Sequence, residues 1–478
     1  MKKRILLLIG VLLVAMAILY LLANHSQSHR ALLQYKTELR AQGERLTLDE
    51  LTSPRTISTN DSHGTLVAAV AAMRSQPLSP ASLELRKFTV PGKALVSWQQ
   101  KSPVWHWKAS QKGTWEDFAA QMPALEPSLQ KLREAMKDPS PNEGPMTSIW
   151  GKRVDFVAIR SAAQWLMGAT LCELHQGKLE AALQNLEALA SLTQMEREEY
   201  TLVSQMIRVA VAGLGIATTW EALQAPGWTE PQLSRLQKCW ESMDLISALE
   251  TGFQGDRAVG EEIWREVRQG KSTGLSAALG MGSSGRKSFE DAFSSYVVLP
   301  AYRMTSINED ELLHLQTMQE ILTACRQLNT NRPWPAVRLE LDKTSGKIKA
   351  INNPLQRFKY MLSRFSMTSL VRVGSTVMRN ETERRLTITV IALKRYQLHH
   401  GTWPPTLEAM VPEFLSQVLL DPMSGKALCY RLQPENEFLL YSVGEDGVND
   451  QGNPNPPPSK SAGMWEAPDA VWPSADRL

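Results

Sequence analysis

Cysteine is scarce: Cys172, Cys239, Cys325 and Cys429 are the only four in 478 residues, and no two of them form a C-x-x-C pair. That spacing excludes a zinc ribbon or a dithiol redox motif and is unlike the dense framework of a small secreted domain. An oxidising compartment would permit one or two disulfides, with connectivity left open. Charge of one sign is also lacking. Lysine and arginine total 52 against 49 acidic residues, a net +3 with a pI near 8.5, which supplies no basic stripe for nucleic acid. The eight histidines include no H-E-x-x-H, and their i, i+4 pair, His25 and His29, lacks the glutamate of a zinc peptidase. No G-x-S-x-G elbow occurs.

What is present is a chain longer than one hydrophobic core usually organises, so two or three folded units are expected. Hydrophobic residues at 43% and charged residues at 21% exclude wholesale disorder despite 27 prolines. Lys2, Lys3 and Arg4 precede Ile5 to Ala23, an uncharged run long enough as a helix to cross a bilayer core. The run is longer than the apolar region of a cleaved signal, and Leu21-Leu22-Ala23 is a poor cleavage site. Only Arg30 and Lys36 follow in the next fifteen residues, so the positive-inside rule keeps the amino terminus cytoplasmic and exports the rest.

Beyond this anchor, Arg30 to Gly43 has helical spacing with Gly43 as its C-cap, and Ser53 to His63 reads as a linker before an alanine-rich helix over 66–74. Leu85 to Val90 and Ala94 to Trp98 read as strands joined by Pro91-Gly92. Trp98, Trp105 and Trp107, interleaved with Lys101 and Lys108, suggest either packing of this hairpin on helices or a glycan platform, and packing is the commoner use of such aromatics. A Pro/Ser/Asn/Gly break spans 139–145. Helical periodicity then dominates to about residue 375, with Gly177 turning one apolar stripe into the next as an antiparallel pair, and with helices over 203–223, 231–249, 259–267, 306–328 and 358–365.

Chemical motifs are weak throughout. Gly280-Met281-Gly282-Ser283-Ser284-Gly285 fits G-x-G-x-x-G, but a flexible Gly/Ser stretch precedes it where a buried strand is required, so no nucleotide is expected. Ser128 and Lys131 form an S-x-x-K on one helical face, with Ser306-Ile307-Asn308 as a second element. Lys343-Thr344-Ser345-Gly346 is one residue out of form as the third, and S-x-x-K recurs at Ser284 and Lys287. An exported serine acyl-transfer enzyme with Ser128 as nucleophile is therefore the alternative and not the preferred reading. His399 and His400 end a helix at Gly401, where histidine compensates the helix dipole.

From Leu386 the chain runs through that helix, the Gly401-Thr402-Trp403-Pro404-Pro405 turn, a short helix over 406–411 and an Asp421-Pro422 loop. Strands over 427–432 and 437–443 and a Gly444-Glu445-Asp446-Gly447 loop follow. This ordered series, roughly the last fifth of the chain, resembles the globular module of the major pseudopilin of bacterial type II secretion. The leader glycine and early glutamate of that family are missing at the amino terminus, so filament packing is not implied. The resemblance does imply calcium bound in the last loop, with Asp446, Asn449 and Asp450 as the oxygen donors that remain here; a solvated turn is the equal alternative. The whole chain looks like uncharacterised single-span bacterial envelope proteins.

The expected fold is mainly α, with a membrane anchor, an exported helical domain and a small C-terminal α+β module carrying a β-hairpin. The expected division is anchor 1–24, juxtamembrane helix and linker 25–60, mixed segment 61–145, helical domain 146–375, pseudopilin-like module 376–456 and disordered tail 457–478. The expected location is the bacterial inner membrane with the bulk of the chain periplasmic. The expected role is a scaffold contacting other envelope proteins, with a cell-wall or glycan-binding module as a further alternative.

Overall fold

The computed structural model describes residues 2–51, 61–74, 78–80, 83–100, 105–107, 111–139, 155–195, 197, 199–270, 298–366, 370–434 and 437–476. The Gly280–Gly285 motif, the second S-x-x-K and most of the two expected linkers lie outside them. Fifteen α-helices carry the described chain: α1 (Lys2–Ala41), α2 (Leu48–Leu51), α3 (Ser62–Met73), α4 (Trp115–Ala135), α5 (Phe156–His175), α6 (Leu179–Leu192), α7 (Leu202–Ala222), α8 (Glu230–Glu241), α9 (Ser247–Arg268), α10 (Leu299–Thr305), α11 (Ile307–Leu328), α12 (Trp334–Lys349), α13 (Pro354–Lys359), α14 (Met361–Ser366) and α15 (Leu370–His400). The chain is mainly helical, as expected, with small three-stranded sheets.

Local chemistry sets the helix ends. Asp61, Asp155 and Thr201 cap α3, α5 and α7 by accepting a backbone N–H from inside the first turn. Thr114 and Asp117 cap each other's backbone at the start of α4 as a capping box, and the helix contains Pro123 and Pro127. Gly177, at φ +72°, turns α5 into α6, and the Lys178 N–H reaches back to the Glu173 carbonyl at 2.8 Å to close the expected antiparallel pair. The stretch expected as one helix over 231–249 breaks after Glu241, because Asp244 accepts the N–H groups of Ile246 and Ser247 and starts α9.

The helices stack as a layered array. Helices α3 and α4 pack on α5, α5 and α6 on α7, and α7 on α9 and α15; α9 then packs on α11, and α11 on α12 and α1. Helix α7 is long and apolar enough to cross a membrane, but 56% of its apolar window is buried and it sits at the centre of this array, so it is a core helix. One core cluster runs from Leu66 through Trp220 and Leu386 to Trp472. The expected boundary at residue 146 lies outside the described residues, and α15 runs through residue 376 and packs on α7, α8 and α12. Helix α1 also passes residue 24 without a break, since no glycine or proline lies between Gly10 and Gly43.

Three small sheets decorate the array. Strands β1 (Leu78–Ser79), β4 (Trp105–Trp107) and β5 (Gln111–Gly113) form one; β2 (Lys87–Val90), β3 (Lys93–Leu95) and β9 (Ser474–Asp476) form the second; β6 (Cys429–Gln433), β7 (Glu437–Ser442) and β8 (Ala470–Val471) form the third. The hairpin β2–β3 turns at Pro91-Gly92 as expected, and β6–β7 pairs antiparallel from Cys429↔Tyr441 to Gln433↔Glu437. The expectation of a disordered tail over 457–478 is wrong. Its last strands complete two of the sheets, Ala470 and Trp472 are buried, and the Trp220 indole donates to the Pro473 carbonyl. Apolar burial of Met464, Val471 and Trp472 offsets the ordering cost that the Pro/Ser composition suggested was unaffordable.

Candidate functional site

The loop after β7 is built from the expected residues, and two of their side chains accept hydrogen bonds within the module. Asp446 Oδ1 accepts the Val448 N–H at 2.9 Å, a turn bond within its own loop. Asn449 Oδ1 accepts from the Tyr441 hydroxyl at 3.1 Å and the Gln451 N–H at 2.9 Å. Asp450 is exposed and contributes its backbone N–H to Asp469. Among the described residues no three His, Cys, Asp or Glu side chains gather to hold a metal ion. Calcium needs six to eight oxygens, so this donor set does not fit the expected calcium ion.

The loop is instead organised by Asp469, which sequence reading assigned to disordered tail. Its carboxylate accepts the N–H groups of Asp450 (3.3 Å), Gly452 (2.9 Å) and Asn453 (2.9 Å). Asp421 does the same for the preceding loop: it accepts from Met423 N–H (3.0 Å), Ser442 Oγ (2.8 Å) and Val443 N–H (3.1 Å), tying the Asp421-Pro422 turn to β7. Burial raises both carboxyls, and the donated hydrogen bonds oppose that rise.

Of the tryptophans, Trp98 lies in a 3₁₀ turn (Ser97–Gln99), packs against the main core and donates its Nε1–H to the Glu221 carbonyl at 3.0 Å. The backbone of Trp105 and Trp107 forms β4, in a different sheet from the β2–β3 hairpin, while Lys101 and Lys108 lie outside the described residues. The residue that fixes this region is Glu221 on α7. Its carboxyl receives Arg86 N–H and Ser97 N–H, each at 2.8 Å, and Ser97 Oγ lies 2.8 Å from Oε1 and 2.6 Å from the Glu84 carbonyl. The serine has one proton, and a carbonyl can only accept, so a proton on Glu221 completes the pair. Burial pushes Glu221 up to about 7, in agreement.

Ser128 and Lys131 lie one turn apart on α4, with Lys131 exposed and no hydrogen bond between them. Ser306 caps the start of α11 and its hydroxyl meets Thr305 Oγ1 at 3.0 Å, so the second element of the acyl-transfer motif is not brought to Ser128. The nearest concavity is an open groove of about 660 Å³ among α4, α6 and α8, where Arg133 pairs with Glu126 and Arg235 with Glu187. Its one thiol, Cys239, is pushed by burial up to about 11. All four cysteines are free thiols, and burial pushes Cys172 and Cys325 up to about 12, which keeps them protonated and poor nucleophiles.

The densest charged constellation had no sequence signature. Distal α1 and the segment after it are ionically locked to α9 and α11. Lys36 Nζ bridges Glu261 and Glu311, and Arg268 also pairs with Glu311. Glu44 receives Arg257 at 2.8 Å, Arg326 at 2.5 Å and Gln319 at 2.9 Å. Arg257 is fully buried. Burial alone would raise Glu44, but hydrogen bonds from Arg326, Gln319 and Arg257 overcome it and hold the carboxyl at about 2. Helical charge spacing can identify local pairs; these join residues more than 200 positions apart, which no local pattern encodes.

The fold and these sites define a mainly helical protein with small three-stranded sheets, a dense structural ion-pair network and no assembled catalytic constellation among the described residues. No family model, no curated protein and no solved structure matches the chain.

Proposed function

We propose that the chain is a single-span envelope protein of the bacterial inner membrane whose exported body acts by protein contact, with a pseudopilin-like C-terminal module presented away from the anchor. The observation that carries this reading is the two-part character of α1. Between Leu12 and Leu22 it exposes Leu12, Leu13, Met16, Leu19, Tyr20 and Leu22, spread over about half of the helix circumference. From Asn24 onward the same helix buries Leu32 and Leu39 and enters the ion pairs of Lys36. A helix uncovered on one half and docked on the other suits lipid followed by protein.

The absence of an activated serine or thiol in the described residues favours contact over catalysis, and the C-terminal order of helix, turn, pinned loop and hairpin supports the pseudopilin likeness. Expressed in bacteria, the full chain is expected in the membrane pellet after carbonate washing, solubilised only by detergent. External protease should reach the body in spheroplasts and not in intact cells. Recovery of intact full-length protein in the cytosol overturns the reading.

A further inference from the structure

We propose that the face formed by α10, α13 and α14 rests on the bilayer as a second, peripheral contact with anionic lipid headgroups beside the anchor. The proposal rests on α1 being the membrane span. One carboxylate fixes the position of this face. Glu309 accepts the Asn24 amide of α1 at 2.8 Å and pairs with Lys359 of α13, so α13 is held at the level where the uncovered half of α1 gives way to its docked half.

The chemistry of the face fits a lipid surface. Helices α13 and α14 carry three basic residues, Arg357, Lys359 and Arg364, and no acidic one, and Lys359 is the one paired with Glu309. Arg357 is exposed and Arg364 half-exposed, and neither has an acidic partner within ion-pair distance among the described residues. Beside these cations Leu355 is 76% exposed and Met304, on α10, 65% exposed. Helix α13 has no fully buried residue. Cations flanking uncovered apolar side chains on a short surface helix are the pattern of interfacial attachment, in which each Lys or Arg near an anionic surface adds attraction.

The inner side of this face is rigid, so it presents a fixed surface. Asp310 accepts Leu362 N–H at 2.9 Å, Ser363 N–H at 3.2 Å and the Tyr302 hydroxyl at 2.6 Å, which clamps α14 and α10 to α11. Tyr302 meets Phe358 edge-on with centroids 6.1 Å apart. The clamp leaves Leu355, Arg357 and Met304 pointing away from the core that holds their neighbours.

The test uses the full chain, reconstituted into vesicles of phosphatidylcholine alone or with phosphatidylglycerol, and reads amide hydrogen exchange over 354–364. Exchange there should slow about tenfold or more in the anionic vesicles relative to the neutral ones, with high salt reversing the difference. The double variant Leu355→Glu, Arg357→Glu should lose that protection while still floating with the vesicles, since both side chains are exposed and the anchor is untouched. Equal exchange in both lipids, with the protein inserted, overturns the proposal and leaves the anchor reading standing. Failure of the full chain to float at all strikes the anchor reading itself. Protection in native membranes, with none in vesicles of anionic lipid, assigns the face to a protein partner and also overturns the proposal.

Discussion

At the scale of single residues, the most informative side chain is Glu221, a carboxyl with no ion-pair partner that ties the β2–β3 hairpin to the central helix α7. Burial lifts it to about 7, so the folded state keeps a proton that the unfolded chain gives up near the ordinary value of 4.5. A raised folded value means that this stabilisation is complete below about 4.5 and is lost as pH rises through about 7, a difference of about 3 kcal/mol. The melting temperature should therefore fall between about pH 5 and about pH 8, and Glu221→Gln should flatten a large part of that slope. An identical slope in the variant would remove Glu221 as its source. Close backbone approach is the other residue-scale constraint. A Cβ at Gly255 would lie 1.5 Å from the Tyr200 carbonyl oxygen, so Gly255→Ala must push α9 off the segment that precedes α7. Urea unfolding should show a loss of more than about 3 kcal/mol. An unchanged midpoint would mean that this contact is looser than its geometry states.

At the scale of elements, Asp469 organises the C-terminal loop through its own hydrogen bonds. Asp469→Ala removes the acceptor for three N–H groups and should lower stability by roughly 2–3 kcal/mol, whereas a calcium chelator should leave the melting temperature of the unmodified protein unchanged. A chelator-induced drop would return calcium to the loop. The same elements show what the sequence made legible. Periodicity, Gly177, Gly401 and Pro91-Gly92 marked helices and turns correctly because these signals are local: a stripe, a left-handed φ, a blocked N–H. The tail departs from its Pro/Ser/Lys composition because that composition is a local average, while Pro473 and the strand Ser474–Asp476 are held by Trp220 and β3, hundreds of residues away. The candidate calcium donors were legible as residue types; the hydrogen bonds that Asp469, beyond the loop, accepts from it were not. Trp98, Trp105 and Trp107 were likewise grouped by spacing, yet pairing places Trp105 and Trp107 on β4, in a sheet that does not include the β2–β3 hairpin.

At the scale of the whole molecule, the question is what couples α1 to the body of stacked helices, and the answer is concentrated at Glu44. This carboxylate follows α1 and neutralises Arg257, which is fully buried on α9, and Arg326 on α11, so it joins the end of α1 to two layers of the array. Glu44→Ala would strand a buried guanidinium, a change that costs roughly 3 kcal/mol and more than the pair itself contributes. Because the folded carboxyl is held at about 2, below the ordinary value of 4.5, its stabilisation is present above about 4.5 and is lost as pH falls toward 2, the opposite sense to Glu221. The double variant Glu44→Gln, Arg257→Met removes both charges and should recover most of the loss, since neither buried charge is then left uncompensated. The readout that reports coupling is hydrogen exchange along residues 24–41 in the detergent-solubilised full chain. Glu44→Ala should speed exchange there before it affects α5 and α6, loosening α1 from the body. If exchange rises uniformly through the array, the contact supports the global fold and not the anchor joint; if it does not rise at all, Lys36 with Glu261 and Glu311 carries the attachment alone.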